Sequence, residues 1–196
     1  MQIEIDKATP EMASDIARLI MVAMNYECCQ YFAGEEHTLD DFHDMLTALV
    51  KRTDSQHSYK NTLVAVLTED AEDMKAGTVV GVCVAYDGAM LHELRQAFLD
   101  EEKKRFGLDF SDIADETKAG ELYVDSLCVD ERCRHQGVAT NLLKAAKMQA
   151  MLKGIGKVGL LVDKGNPTAE KLYLNVGFRY VDDNEWGGHP MKHLVW

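Results

Sequence analysis

The chain is short of positive charge. Its 21 lysines and arginines face 33 aspartates and glutamates, for a formal net charge of −12. A nucleic-acid binder needs a basic face to neutralise phosphates, so that class is set aside. A cationic partner such as an amine is compatible with the charge, although a diffuse acidic surface often serves solubility alone. Proline is scarce as well, with 3 residues in 196 beside 14 glycines, which argues against a long disordered or low-complexity stretch. No repeat of solenoid period occurs. No apolar run approaches the ~20 residues of a membrane-spanning helix. The opening M-Q-I-E-I-D-K lacks the basic flank and apolar run of a secretory signal.

Cysteine and histidine exclude further chemistry. Cys28, Cys29, Cys83, Cys128 and Cys133 are odd in number and lack framework spacing. Reduced thiols in a cytoplasmic protein are therefore expected, with Cys28 and Cys29 half-buried at a helix end. The seven histidines form no metal set: His37 and His43 lack ligand spacing, and His189 and His193 read as surface residues flanking a terminal strand. No metal is expected. Neither the phosphate-loop string G-x-x-x-x-G-K-[ST] nor the dinucleotide fingerprint G-x-G-x-x-G is present.

What is there is a clear succession of elements. Ile3 to Lys7 alternates like a half-buried strand. Thr9-Pro10-Glu11 then starts a helix carried by Met12, Ile16, Leu19, Ile20 and Ala23. Thr38 caps a second helix, with the acids of D-D-F-H-D in its first turn. The runs L-V-A-V-L (from Leu63) and T-V-V-G-V-C-V-A-Y (from Thr78) flank an acidic turn and predict a hairpin. Residues 90–106 read as a helix, Glu121–Val129 as a strand and Val138–Leu152 as a helix. Val158–Val162 reads as a short buried strand. A helix opened by Asn166-Pro167-Thr168 closes at Gly177. Two strand candidates end the chain. This order predicts one domain over 1–196, a mixed α/β sheet with a helical insert at about 90–118.

The stretch R-C-R-H-Q-G-V-A-T joins the strand to the helix at Val138. The first amides of a helix lack internal partners and carry partial positive charge. Gly137 and Ala139 allow close approach, and Arg132 and Arg134 add mobile charge, so a pyrophosphate would sit well here.

L-C-V-D-E-R-C-R-H-Q-G-V-A-T resembles the acetyl-CoA-binding motif of the Gcn5-related N-acetyltransferase superfamily (GNAT). Arg134, Gly137 and Ala139 fill the defining positions of [QR]-x-x-G-x-[GA]. A second segment, N-P-T-A-E-K-L-Y-L-N-V-G-F, is similar to the family pattern N-x-x-A-x-x-x-Y-x-x-x-G-F, with Asn166, Ala169, Tyr173, Gly177 and Phe178 in register. The resemblance is specific over residues 121–180. Two departures stand out. His135 replaces a frequent glycine and Gln136 a frequent basic residue, and both would weaken pyrophosphate binding.

The resemblance implies the GNAT fold, a twisted, mostly antiparallel mixed sheet flanked by helices. It also implies acetyl transfer from acetyl-CoA to a primary amine, most simply that of a small molecule, by direct attack in a ternary complex. In this reading the backbone at Leu127, Cys128 and Val129 meets the acetyl and pantetheine groups. Amides of Gln136, Gly137, Val138, Ala139 and Thr140, with Arg134 and His135 in the same loop, hold the pyrophosphate. Asn166 bonds the pantetheine, and Tyr173 is the general acid for the departing thiolate. Period-2 alternation places Glu121, Tyr123, Asp125, Leu127 and Val129 on one strand face, which leaves Asp125 and Glu121 as alternative general bases. Cys128 reads as packed core. The acceptor site falls to residues 25–40, the insert and 180–195, an aromatic and acidic mouth that includes Tyr26, Tyr31, Phe32 and Trp186. A non-catalytic acyl-CoA-binding module and a protein or peptide N-acetyltransferase are the alternatives. A homodimer is left open; nucleic acid and membrane are not expected as partners.

Overall fold

A computed structural model describes residues 1–71 and 73–196. Strands β1 (Ile3–Lys7), β2 (Thr62–Leu67), β3 (Val79–Asp87) and β4 (Leu122–Val129) pair antiparallel in sequence. β4 then pairs parallel with β5 (Val158–Asp163). A terminal hairpin, β6 (Arg179–Trp186) and β7 (His189–Val195), adds β7 to β5 and leaves β6 at the edge. The seven-stranded order is β1-β2-β3-β4-β5-β7-β6.

Helices cover both faces. One carries α1 (Ala13–Met24), α2 (Tyr26–Ala33), α3 (Leu39–Lys51) and α4 (Leu91–Phe106), whose Ile16, Phe32, Phe42, Leu46 and Phe98 bury against Val64, Val82 and Cys128. The other carries α5 (Val138–Leu152), whose Leu142, Leu143 and Ala146 pack on Ala65, Cys83 and Leu160. α6 (Pro167–Val176) lies beside it. Each strand of the centre thus has two apolar faces, which is why Val79–Tyr86 reads as a continuous apolar run. No described helix is long and apolar enough to cross a membrane.

Thr38 caps α3 as expected, in a reciprocal box in which its Oγ1 accepts from the Asp41 amide at 3.2 Å and Asp41 accepts from the Thr38 amide at 2.8 Å. Thr9 does not cap: Pro10–Met12 form a single 3-10 turn without a side-chain cap bond. The first helical stretch also ends sooner than a continuous helix would. Asn25, at φ 66°, breaks it, and its side chain accepts from the Cys28 amide to start α2. Cys28 and Cys29 therefore sit at the start of α2, the second fully buried.

Two irregularities shape the middle of the sheet. Val84 pairs with Ser126 and Ala85 with Val124, so Asp125 is an extra, unpaired residue in β4. That bulge overturns the expected alternation. Leu122 and Val124 face the α5 core before it, whereas Leu127 and Val129 face that core after it. Glu121 and Tyr123 therefore do not share a face with Leu127 and Val129. Cys128 points into the opposite core, packed as expected. The second irregularity is that β4 and β5 pair only at Leu122–Val158 and Tyr123–Gly159 before they part.

Candidate active site

Where β4 and β5 separate, a cavity of about 860 Å³ opens. Asp125, Ser126 and Leu127 line it from β4, and Leu161, Val162 and Asp163 from β5. The Asp130 amide donates to Val80 O of β3 at 2.8 Å. Alternation then turns the backbone groups of Val129 and Leu127 away from β3, toward the open edge. Arg134 confirms this for Val129, because its Nε reaches that residue's carbonyl at 3.0 Å.

The loop beyond β4 leaves backbone amides and an arginine exposed. Arg134, His135, Gln136 and Gly137 are exposed. Gly137, at φ 80°, precedes α5 and gives it no side-chain cap. The first amides of α5, from Val138 to Thr140, thus stay free of helical partners, with the positive end of the helix dipole behind them. The loop achieves its turn at a cost: His135 sits at φ 62°, in the left-handed region that glycine adopts freely. Arg132 does not supply mobile charge. It is held by Asp130 at 2.9 and 3.0 Å and by Asp73 at 3.2 Å. Arg134 is the cation left at the loop.

Asn166, at the N-cap of α6, and Tyr173 within it both line the cavity. Asn166 Oδ1 caps α6 by accepting from the Ala169 amide at 3.1 Å, which leaves its amide protons for a ligand. Tyr173 packs its ring edge-on to Phe178 at 5.7 Å. Its hydroxyl has no hydrogen bond among the described residues. Burial, with Cys83 adding, raises its pKa well above the usual phenol value, so the proton stays on.

The two candidate bases part company. Asp125 lines the cavity, with Gln56 Nε2 at 3.4 Å and His57 Nε2 at 3.8 Å from its carboxylate. Glu121 does not line it. It is buried against Gly159, accepting from Thr117 Oγ1 at 2.7 Å, with His193 Nε2 at 2.9 Å. Burial raises its pKa, but these two bonds outweigh burial and leave it lowered. His193 is correspondingly a buried residue joined to Glu121 and Asp182, not the surface histidine expected from sequence. His189 is exposed and paired with Asp163 at 3.4 Å.

Gln56 and His57 are absent from the sequence-based site. They sit between α3 and β2 in a loop pinned to α4 by Gln56 N donating to Leu94 O at 3.1 Å and within itself by His57 N donating to Ser55 Oγ at 3.1 Å. No motif marks them; S-Q-H-S is a polar loop in sequence. Aromatic residues Tyr31, Phe32, Phe98, Phe110 and Trp186 and the acids Glu27, Asp109 and Asp112 complete the cavity. All of these fall in the segments assigned to the acceptor.

Comparison with known proteins decides the lineage. The model of the acetyltransferase (GNAT) family matches residues 24–178. The chain belongs to this family. A relative from Arabidopsis thaliana, the chloroplastic GCN5-related N-acetyltransferase 6, is 24% identical over 189 residues, 90% of this chain and 65% of that protein. The chain thus spans about two thirds of the length of that relative. An acetyltransferase crystal structure is 29% identical with a TM-score of 0.74, covering 98% of this chain and 97% of that one. An N-acetyltransferase from Staphylococcus aureus Mu50 is 25% identical with a TM-score of 0.77, covering 98% and 100%.

Within this GNAT chain the insert forms a wall of the site. Arg95 of α4 lies buried, bonded to Glu116, to Ala114 O at 3.1 Å and to Ile113 O at 3.2 Å. Glu116 in turn accepts from the Tyr86 hydroxyl at 2.9 Å. This buried pair ties the segment after α4 to the sheet beside the cavity. Among the described residues no group of metal-ligating side chains forms.

Proposed function

We propose that the protein transfers an acetyl group from acetyl-CoA to a primary amine of a small molecule, by direct attack in a ternary complex. The observation that carries this reading is the continuity of three features. An uncapped α5 N-terminus, the open edge of β4 and a closed-in cavity bearing Asp125 and Tyr173 follow one another along the β4–β5 split.

The residues present fit acetyl-CoA. Amides from Gln136 to Thr140, with Arg134, are placed for a pyrophosphate. The backbone of Leu127 to Val129 is placed to pair with pantetheine amides as an added strand would, and the Asn166 amide protons reach the same channel. When bound, acetyl-CoA supplies an activated carbonyl and a thiolate leaving group. Leu127 N–H polarises that carbonyl, Asp125 receives the amine, and Tyr173 keeps a proton available for the leaving sulfur. Cys28 and Cys83 are poor nucleophiles here: burial pushes Cys83 up to about 12 and the cavity-lining Cys28 up to about 11. The walling of the cavity by α4 and its following segment favours a small acceptor over a peptide.

The test is incubation with acetyl-CoA and a panel of primary amines, read by free-thiol release and product mass. An increase of one acetyl group on at least one small amine is expected. Thiol release without any acetylated amine would contradict the reading.

A further inference from the structure

His57, Gln56 and Trp186 each line the cavity with a buried side-chain atom that has no hydrogen-bond partner among the described residues. His57 is 4% exposed, yet neither ring nitrogen has a hydrogen bond among the described residues. Nδ1 is buried without a partner, and Nε2 stands 3.8 Å from Asp125 Oδ1, too far for a hydrogen bond. Its neighbour Gln56 is 7% exposed, and its Oε1 is likewise buried and unpartnered. Buried polar groups in folded proteins are nearly always paired, and exceptions cluster at functional sites. Both residues line the cavity beside Asp125, at the bulge that turns Asp125 out of the β3 ladder.

A primary amine arriving as ammonium presents three N–H donors. Asp125 and the His57 imidazole stand together here as acceptors, and Gln56 Nε2 donates to Asp125 at 3.4 Å and holds it in place. We propose that Gln56, His57 and Asp125 form the seat of the acceptor amine, and that His57 is a catalytic residue that takes its proton. This deepens the acetyltransferase reading above and rests on it. Asp125 attracts the amine and orients it toward the β4–β5 split. The nitrogen lone pair forms the bond to the carbonyl carbon as the carbon–sulfur bond breaks. His57 takes one proton from the ammonium, which frees that lone pair; the second excess proton leaves the acylated nitrogen to water, and the sulfur takes the Tyr173 proton. Exchange with water returns His57 and Tyr173 to their starting forms.

Burial lowers the pKa of His57 and Asp125 opposes that fall, so the ring is neutral and able to accept at neutral pH. The charged group that faces it is Asp125 on β4; Arg95 and Glu116 of the insert line the same cavity and are paired with each other. The remainder of the cavity defines the substrate class. With Phe32, Phe98, Phe110 and Trp186 as walls and Glu27, Asp109 and Asp112 among the lining acids, it suits an amine with an apolar, ring-sized body and no carboxylate.

The experiment compares wild type with His57→Gln and Gln56→Met, using 2-phenylethylamine as acceptor and 2-phenylethanol and phenylalanine as controls. Acetyl-CoA affinity by calorimetry reports folding and cofactor binding. The imidazole resonances report the His57 titration, and calorimetry of 2-phenylethylamine on the CoA-saturated protein reports the seat. Expected are acetyl-CoA affinities within twofold of wild type, a kcat loss of roughly 100-fold or more in His57→Gln with loss of the acid limb of the pH profile, and amine binding weakened about tenfold in Gln56→Met. Equal kcat and an unchanged pH profile in His57→Gln, with wild type active, would overturn the seat alone. A wild type that binds no acetyl-CoA would overturn the acetyltransferase reading beneath it.

Discussion

Glu121 was one of two candidate bases in the sequence, and the fold gives it a different task that Gly159→Ala exposes. A Cβ built on Gly159 collides with the Glu121 carboxylate. To make room, the carboxylate must leave Thr117 Oγ1 and His193 Nε2, both of which it holds inside the sheet. Breaking a buried, bonded charge pair costs about 3–5 kcal/mol. Because His193 keeps Asp182 at 3.2 Å, the lower end applies, about 3 kcal/mol. With a urea slope of about 2 kcal/mol per molar, the unfolding midpoint should fall by about 1.5 M. The double variant Gly159→Ala/Glu121→Ala removes the collision, so the alanine at 159 should cost far less in that background. Equilibrium urea denaturation of the four proteins measures both effects. A midpoint shift under about 0.3 M in the single variant would refute the reasoning.

The same pair sets a pH window. The Glu121 bond, with the charges of Glu121 and Asp182, raises the pKa of His193, so its contribution is full below the ordinary value of about 6.5 and fades as pH rises through the raised value. Glu121 is lowered, so its contribution is present above about 4.3 and fades as pH falls through the lowered value. Thermal scans from pH 4 to 9 should therefore show the largest difference between wild type and His193→Asn at about pH 5–6, and a flat difference would count against the pair. His135→Gly relieves a left-handed cost of about 1–2 kcal/mol against a glycine entropy cost of about 0.5–1 kcal/mol. Urea midpoints should show it equal to wild type or up to about 1.5 kcal/mol more stable, and a clear loss of stability would say that the His135 side chain matters more than its backbone. Tyr173→Phe should cut kcat by roughly 100-fold in thiol-release assays while acetyl-CoA affinity stays within a few-fold; an equal loss of both would assign the hydroxyl to binding.

Local pattern carried most of the architecture. The V-G-L-L-V run, the Thr38 cap and the strand-loop-helix around Gly137 are short-range signals, and each element lies where its residues predict. The proposed cofactor side rests on the same kind of signal: Arg134, Gly137, Asn166 and Tyr173 belong to continuous segments with fixed spacing. The acceptor side is not. A single unpaired residue at Asp125 reverses the pleat and separates Glu121 from Leu127, and alternation in sequence carries no mark of it. Gln56 and His57 reach Asp125 from a loop 69 and 68 positions away, a proximity created by the pairing of β2, β3 and β4. His193 likewise reads as a tail residue until β7 joins β5 and buries it against Glu121.

Calorimetric titration of acetyl-CoA into the purified protein, with CoA and ATP as comparisons, tests the central claim most directly. The uncapped α5 turn and the open β4 edge predict micromolar binding of acetyl-CoA, similar binding of CoA and much weaker binding of ATP, which lacks pantetheine. Equal binding of ATP would mean that the β4 edge contributes nothing. Absence of acetyl-CoA binding would contradict the account, and would point to His135 and Gln136 as having disabled the anion loop.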